Sequence, residues 1–241
     1  MKIPILMYHN IARVPRGLQV YRSLYVSPAS FARQMGLLSA LGYRGMSMSD
    51  AMPYLRGERQ GRVAVVTMDD GYVDNLESAA SVLRRYDFTA TCYVVSGYIG
   101  QYNVWDADRL GIRKPLMTAE QLRDWHAAGM EVGAHTRTHV RLSQCDDAQQ
   151  HDEIQGCKAE LEDRVGKRVT QFCYPYGDYD GRSINAARQA GFAAATTTDR
   201  GRAEAGDGVD LWRLPRIQVA RHHLLPQVAV KVLTGYEDRR T

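Results

Sequence analysis

The chain reads as an α/β protein whose parallel strands close, or nearly close, into one barrel. Three observations predict this. Helical patterns repeatedly end on glycine with an apolar strand directly after, as in "LLSALGYRGMS", "WHAAGMEVGAH", "DRVGKRVTQFCY" and "ARQAGFAAAT". Eight runs of strand length alternate with helices for most of the chain, which is the pattern of βαβ units. No low-complexity linker interrupts the 241 residues, so all the units are assigned to a single domain, 1–241, and that number of units favours a barrel over an open sheet.

Each element has a local reason. The first strand, 3–8, is apolar and runs into His9. Ser27 caps a helix whose first position is Pro28, and Gly42 ends it in the left-handed position that suits glycine. A strand at 43–47 follows, then 63–68, then the helical stretch "DDGYVDNLESAASVLRRY". After the strand at 90–95, "TAEQ" (118–121) is a capping box that opens the next helix. Gly129, Gly166 and Gly191 each close a helix before the strands at 131–134, 169–174 and 193–197. A strand at 216–219 and a closing helix finish the chain. The irregular stretches 97–117 and 198–213 are expected to be rim loops.

Composition removes several function classes. Hydrophobic residues make up 44% and charged residues 24%, ordinary values for a globular protein. No apolar run reaches the ~20 residues that span a bilayer. Net charge is +4 with a pI near 8.9, but the arginines are dispersed without an aromatic-interleaved basic stripe, so no nucleic-acid partner is expected. The four cysteines form no C-x-x-C pair and read as reduced thiols. No leader pattern precedes the first strand, and a cytoplasmic location is the expectation.

The chemistry lies where a barrel keeps it, at the carboxyl ends of strands. "VAVVTMDDG" ends a strand in two adjacent carboxylates, Asp69 and Asp70. One would suffice as a helix cap; two side by side repel unless a cation or proton lies between them. "GAHTRTH" places His135 and His139 four residues apart after another strand. On a helical turn that spacing brings two imidazoles to one face, and imidazole with carboxylate suits zinc. "CYPYGDYD" gives a rigid loop after a third strand, either a plain turn or an oxyanion site built from backbone N–H groups.

"TMDDG", "HTRTH" and "YPYG", in this order, resemble the first three motifs of the NodB-type polysaccharide deacetylases, carbohydrate esterase family 4. The resemblance covers roughly residues 2–236, and "LMYHNI" and "LPRIQV" resemble the branch that includes bacterial poly-N-acetylglucosamine deacetylases. It implies a distorted (β/α)7 barrel, with Asp69 as general base and Asp70, His135 and His139 holding a divalent metal. The resemblance implies zinc as the metal, with cobalt or nickel as substitutes. It also implies that the Tyr176 N–H helps to stabilise an oxyanion. The arginine that begins the third motif in many members is Cys173 here, so the partner of the base is expected from Arg216, with Arg213 as alternative. "DLWR" echoes the fourth motif, which puts Trp212 with Met7, Pro175, Tyr176 and Trp105 among the expected substrate contacts. The C-terminal motif, an apolar strand ending Leu-x-His, is missing. "ILMYHN" reads as that motif moved to the start of the chain, a circular permutation that makes His9 the general acid; His222 and His223 compete for the role.

The expected activity is metal-dependent removal of an N-acetyl group from an N-acetylated carbohydrate, releasing acetate. Alternatives are an O-acetyl esterase or non-sugar amidase of the same fold, or an inactive carbohydrate-binding relative. A structural zinc protein is disfavoured, because two histidines and one carboxylate leave a coordination position open.

Overall fold

The computed structural model describes residues 2–239. Its strands are β1 (Lys2–Ile3), β2 (Ile5–Tyr8), β3 (Arg44–Met46), β4 (Val63–Met68), β5 (Thr91–Val94), β6 (Glu131–Ala134), β7 (Gln171–Cys173), β8 (Ala194–Arg200), β9 (Ala203–Glu204) and β10 (Leu214–Gln218). All pairings among β2, β4, β5, β6, β7, β8 and β10 are parallel, and β2 pairs with both β4 and β10. Seven strands therefore close a ring, and the first long strand is the neighbour of the last.

The distortion has a visible source. Val63–Val65 of β4 pair with β3, whereas Thr67 and Met68 pair with β5. β3 is thus a wedge between β4 and β5 at the amino end of the barrel. Thr89 and Thr91 hold the segment after it, accepting at their hydroxyls from the N–H groups of Ser47 and Met48, each at 2.8 Å.

Strand alternation sorts the core into two parts. Leu6, Tyr8, Ala64, Val66, Cys92, Phe172 and Ile217 point outward and pack under the helices. Ile5, Val63, Val65, Tyr93, Cys173 and Leu214 point inward, where helix Met48–Leu55 packs on them and seals the amino end. Gly133 on β6 has a specific reason to be glycine: a Cβ there would lie 2.5 Å from the Tyr93 ring, which fills the barrel.

The expected caps are present. Ser27 accepts from the Ser30 N–H before helix Pro28–Ala40, and Thr118–Gln121 is a reciprocal capping box. Gly42, Gly129, Gly166 and Gly191 all have positive φ. Two expectations fail in part: 97–117 contains the short helix Ala107–Leu110, and 198–213 is not wholly irregular. β8 continues to Arg200, and β9 pairs antiparallel with β1, which carries Ile3 and Ala203 into the inner core. No helix among the described residues is long and apolar enough to cross a membrane.

Candidate active site

The carboxyl ends of β4, β6, β7, β10 and β2 meet at one rim, and four buried polar side chains converge there. Asp69 and Asp70 follow β4. Asp70 and Gly71 both take φ of 79°, a left-handed turn that brings neighbouring carboxylates into one cavity although strand alternation would separate them. Aspartate tolerates this region better than most residues.

His135 leaves β6 with its Nδ1 2.8 Å from the Cys173 carbonyl oxygen. A carbonyl only accepts, so Nδ1 carries the proton and Nε2 presents a lone pair. That Nε2 lies 3.6 Å from Asp70 Oδ1, and His139 Nε2 lies 3.3 Å from the same oxygen. The four-residue spacing works differently from the helical turn the sequence suggested. Residues 135–139 form a loop in which Thr136 (φ 63°) and His139 (φ 60°) are left-handed. For a β-branched threonine this is a strained conformation. It is held from outside by Glu153, whose carboxylate accepts from the Arg137 N–H at 2.8 Å and the Thr138 N–H at 2.9 Å. Glu153 lies on the π turn Asp152–Gly156.

These residues fit a divalent metal. The three ligand atoms lie within 4.8 Å of one another. Separations of 3.3 and 3.6 Å match the edge, about 3.4 Å, of a tetrahedron with Zn–ligand bonds near 2.1 Å. The His135 lone pair facing a carboxylate oxygen at 3.6 Å is repulsive unless a cation or a proton lies between them. Burial alone would raise the Asp70 carboxyl, but the hydrogen bond from His139 and the neighbouring imidazoles hold it well below the usual carboxylate range. Burial lowers His139, keeping the imidazole in its neutral, ligating form.

Asp69 is paired on its other side. Arg216, buried on β10, donates Nη1 to Asp69 Oδ1 and Nη2 to Oδ2, each at 2.7 Å. Its remaining donors reach the Thr197 carbonyl (2.7 Å), Thr67 Oγ1 (3.1 Å) and Cys173 Sγ (3.1 Å). All five guanidinium N–H groups are thereby used. Burial opposes ionisation of Asp69, yet the charge and hydrogen bonds of Arg216 keep its carboxyl below the ordinary value. Cys173 is small enough to leave the space this guanidinium enters from the opposite wall.

His9 follows β2 with its Nε2 3.9 Å from Asp69 Oδ2. Its carbonyl accepts from Asn75 Nδ2 at 2.8 Å, and Asp74 accepts from the Ile11 N–H at 2.8 Å, so its backbone is fixed. Met7, 5% exposed, is two residues below on the same strand. Pro175 opens the turn Pro175–Gly177 after β7, and Tyr176 within it has φ of 60°. The Tyr176 ring meets His139 edge-on at 4.5 Å, while Trp105 stacks on the other side at 4.6 Å. His222 and His223 pack on each other at 4.6 Å, and His223 accepts the Ala220 N–H.

Trp212 is a correction. It precedes the first residue of β10, in a turn where its N–H donates to Asp210 Oδ1. Its ring packs against the outer core with Arg188 over it at 5.3 Å, not in the cavity. Arg213, the alternative partner of Asp69, instead pairs with Asp210 at 2.7 Å. Glu153, Asn75 and Thr67 were not singled out from the sequence. Their contributions are hydrogen bonds to distant backbone and side chains, and only "VTMDDGYVDN", which contains two of them, hints at their place.

A buried three-ligand cluster beside an arginine-paired carboxylate defines a metal-assisted hydrolase site at the mouth of a barrel. The model of the family described as polysaccharide deacetylase matches residues 56–195, and the chain belongs to that family. YxkH of Bacillus subtilis (strain 168), which bears the polysaccharide deacetylase name, is 28% identical over 221 residues, covering 91% of this chain and 72% of its own. The poly-β-1,6-N-acetyl-D-glucosamine N-deacetylase of Staphylococcus epidermidis is 21% identical over 234 residues, 93% of this chain and 77% of its own. Among solved structures, the deacetylase PplD of Streptococcus pyogenes in complex with acetate is similar, with a TM-score of 0.81, 25% identity, and coverage of 96% of this chain and 98% of its own.

Proposed function

We propose that this protein is a metal-dependent N-deacetylase of an N-acetylated glycan, with zinc as its resident ion. The observation that carries this is the adjacency of two carboxylates with different partners. Asp70 faces the Nε2 atoms of His135 and His139, and Asp69, one residue away, is paired with Arg216 and lies 3.9 Å from His9. An ion bound by Asp70, His135 and His139 supplies Lewis acidity, making a water more acidic and polarising an acyl carbonyl.

The chain's own residues supply the rest. Asp69 accepts the proton of the attacking water, and Arg216 keeps the carboxylate ionised and oriented for that role. The backbone N–H of Tyr176 donates to the developing oxyanion, an effect of about 3–4 kcal/mol for one good donor. His9 donates a proton to the departing amine nitrogen, which cannot leave as an anion. Trp105 and Tyr176 flank His139 at the rim and offer ring faces to a sugar. Acetate and the free amine are the products.

An amide rather than an ester substrate is favoured because a second titratable group, His9, stands beside the base. An ester leaving group needs protonation less. The test is to load the protein with zinc or cobalt, incubate it with N-acetylglucosamine oligomers and O-acetylated glycans, and quantify acetate. Release from the N-acetyl oligomers supports the reading; release from O-acetyl esters alone would replace it.

A further inference from the structure

We propose that the rim groove formed by the segment after β2 and the segment after β10 is a subsite for an anionic group, a carboxylate or phosphate, carried on the glycan substrate. This rests on the deacetylase reading and specifies its substrate class as an acidic polymer.

The groove has a volume of about 750 Å³, and Arg13, Arg16, Arg22, Arg221 and His222 contribute to its wall. No aspartate or glutamate is among its lining residues. None of the four arginines makes an ion pair among the described residues, although sixteen ion pairs occur elsewhere in the molecule, His–carboxylate contacts included. Concentrating like charge in a concavity without counter-charge raises the local potential and costs self-repulsion. Arginine also matches carboxylate and phosphate oxygens bidentately.

A second, independent feature points the same way. Ser27 and Ser30, the cap and first turn of the thirteen-residue helix Pro28–Ala40, line this groove, and that first turn contains no acidic residue. The positive end of a helix dipole therefore lies beside the same space as the arginines, with the Ser30 N–H already held by Ser27 Oγ.

Position ties the groove to the reaction. Arg13 comes four residues after His9, and Arg221 comes three after the last residue of β10, the strand beside β2. The Arg221 N–H donates to the Ser23 carbonyl at 2.9 Å, which joins the two walls. Tyr25 lines the groove and bridges in parallel to Asn10, the residue after His9. A glycan with its acetamido group at Asp69 and His9 would lay neighbouring units along this wall.

The test compares two tetrasaccharides, one of N-acetylglucosamine alone and one alternating N-acetylglucosamine with glucuronate. Calorimetry measures binding without turnover, and acetate release gives kcat/KM. The wild-type protein should bind the acidic oligomer about tenfold more tightly, as expected for several screened charge pairs. The preference should vanish in 0.5 M salt and in the Arg13→Gln/Arg16→Gln/Arg221→Gln variant. Arg84→Gln, on an exposed helix end elsewhere, serves as the control that keeps it. Equal binding of both oligomers by wild type, or a preference unchanged in the triple variant, would overturn the proposal. So would binding of inorganic phosphate, or of anionic phosphatidylglycerol vesicles, in place of any glycan preference. Arginine-dependent binding with no acetate released from either oligomer would sink the deacetylase reading while leaving the anionic subsite standing.

Discussion

Arg216 keeps ionised at neutral pH a carboxylate that burial alone would push towards its neutral form. Both partners are buried, with side-chain exposures of 0% and 4%, so little solvent screens the pair. Removing one partner strands the other, and Arg216→Met should cost about 3–5 kcal/mol of stability, read from the urea midpoint. Arg216→Lys should recover part of this, since it restores charge without the two-pronged fork. A midpoint unchanged in Arg216→Met would show that Asp69 is satisfied by other groups. Asp69→Asn keeps shape and removes the base; acetate release should fall at least ~10²-fold with metal content near that of wild type. His9 is tested by substrate choice: His9→Ala should lose amide hydrolysis far more than hydrolysis of an activated ester, and should keep its metal. If His222→Ala or His223→Ala shows that pattern instead, the acid lies there.

At the scale of elements, the site depends on backbone that ordinary strands and helices do not supply. Asp70, Thr136, His139 and Tyr176 are four of the six non-glycine residues with positive φ among those described, and all four stand at the rim. The strain persists because the barrel below is rigid and because Glu153 holds the loop from 136 to 139. Gly133→Ala, which forces a methyl towards the Tyr93 ring at 2.5 Å, should destabilise by about 1–3 kcal/mol, read as a lower unfolding midpoint. No change there would mean that Tyr93 moves aside freely. The strands and caps were legible because apolar runs, glycine stops and capping residues act locally. The two carboxylates and two histidines were legible because they end strands in recognisable motifs. The loop geometry of 135–139 was not, since a four-residue spacing fits a helical turn equally well. Trp212 rests only on the short "DLWR" echo, and a turn at Asp210 sends its ring outward. β9 escaped notice because two residues give no periodicity.

Over the whole molecule, the closure of the ring by β2 makes both ends of the chain matter to one site. β2 delivers His9, β10 delivers Arg216, and the two strands are neighbours. The closing helix Leu225–Leu233 and the segment before it brace this seam. There His223 is held low, to about 4, by burial and then by the charges of Lys231 and His222. Its Nδ1 accepts the Ala220 N–H at 3.0 Å, a bond that protonation would remove. Because the folded value lies below the unfolded one of ~6.5, the unfolded chain takes up the proton first. Stability from this group is therefore complete above pH ~6.5 and is lost as pH falls towards 4. His223→Gln should flatten that part of the stability–pH curve, and an unaltered slope would place the titration elsewhere.

In the proposed reaction, Asp70, His135 and His139 would hold the ion on which acetate release depends. Zinc added back to chelator-stripped protein, with acetate release from an N-acetylglucosamine oligomer followed at each addition, tests it most directly. Activity should rise from near zero and saturate at one ion per chain, and His139→Ala should show no such saturation. Full acetate release by the stripped protein would contradict the account.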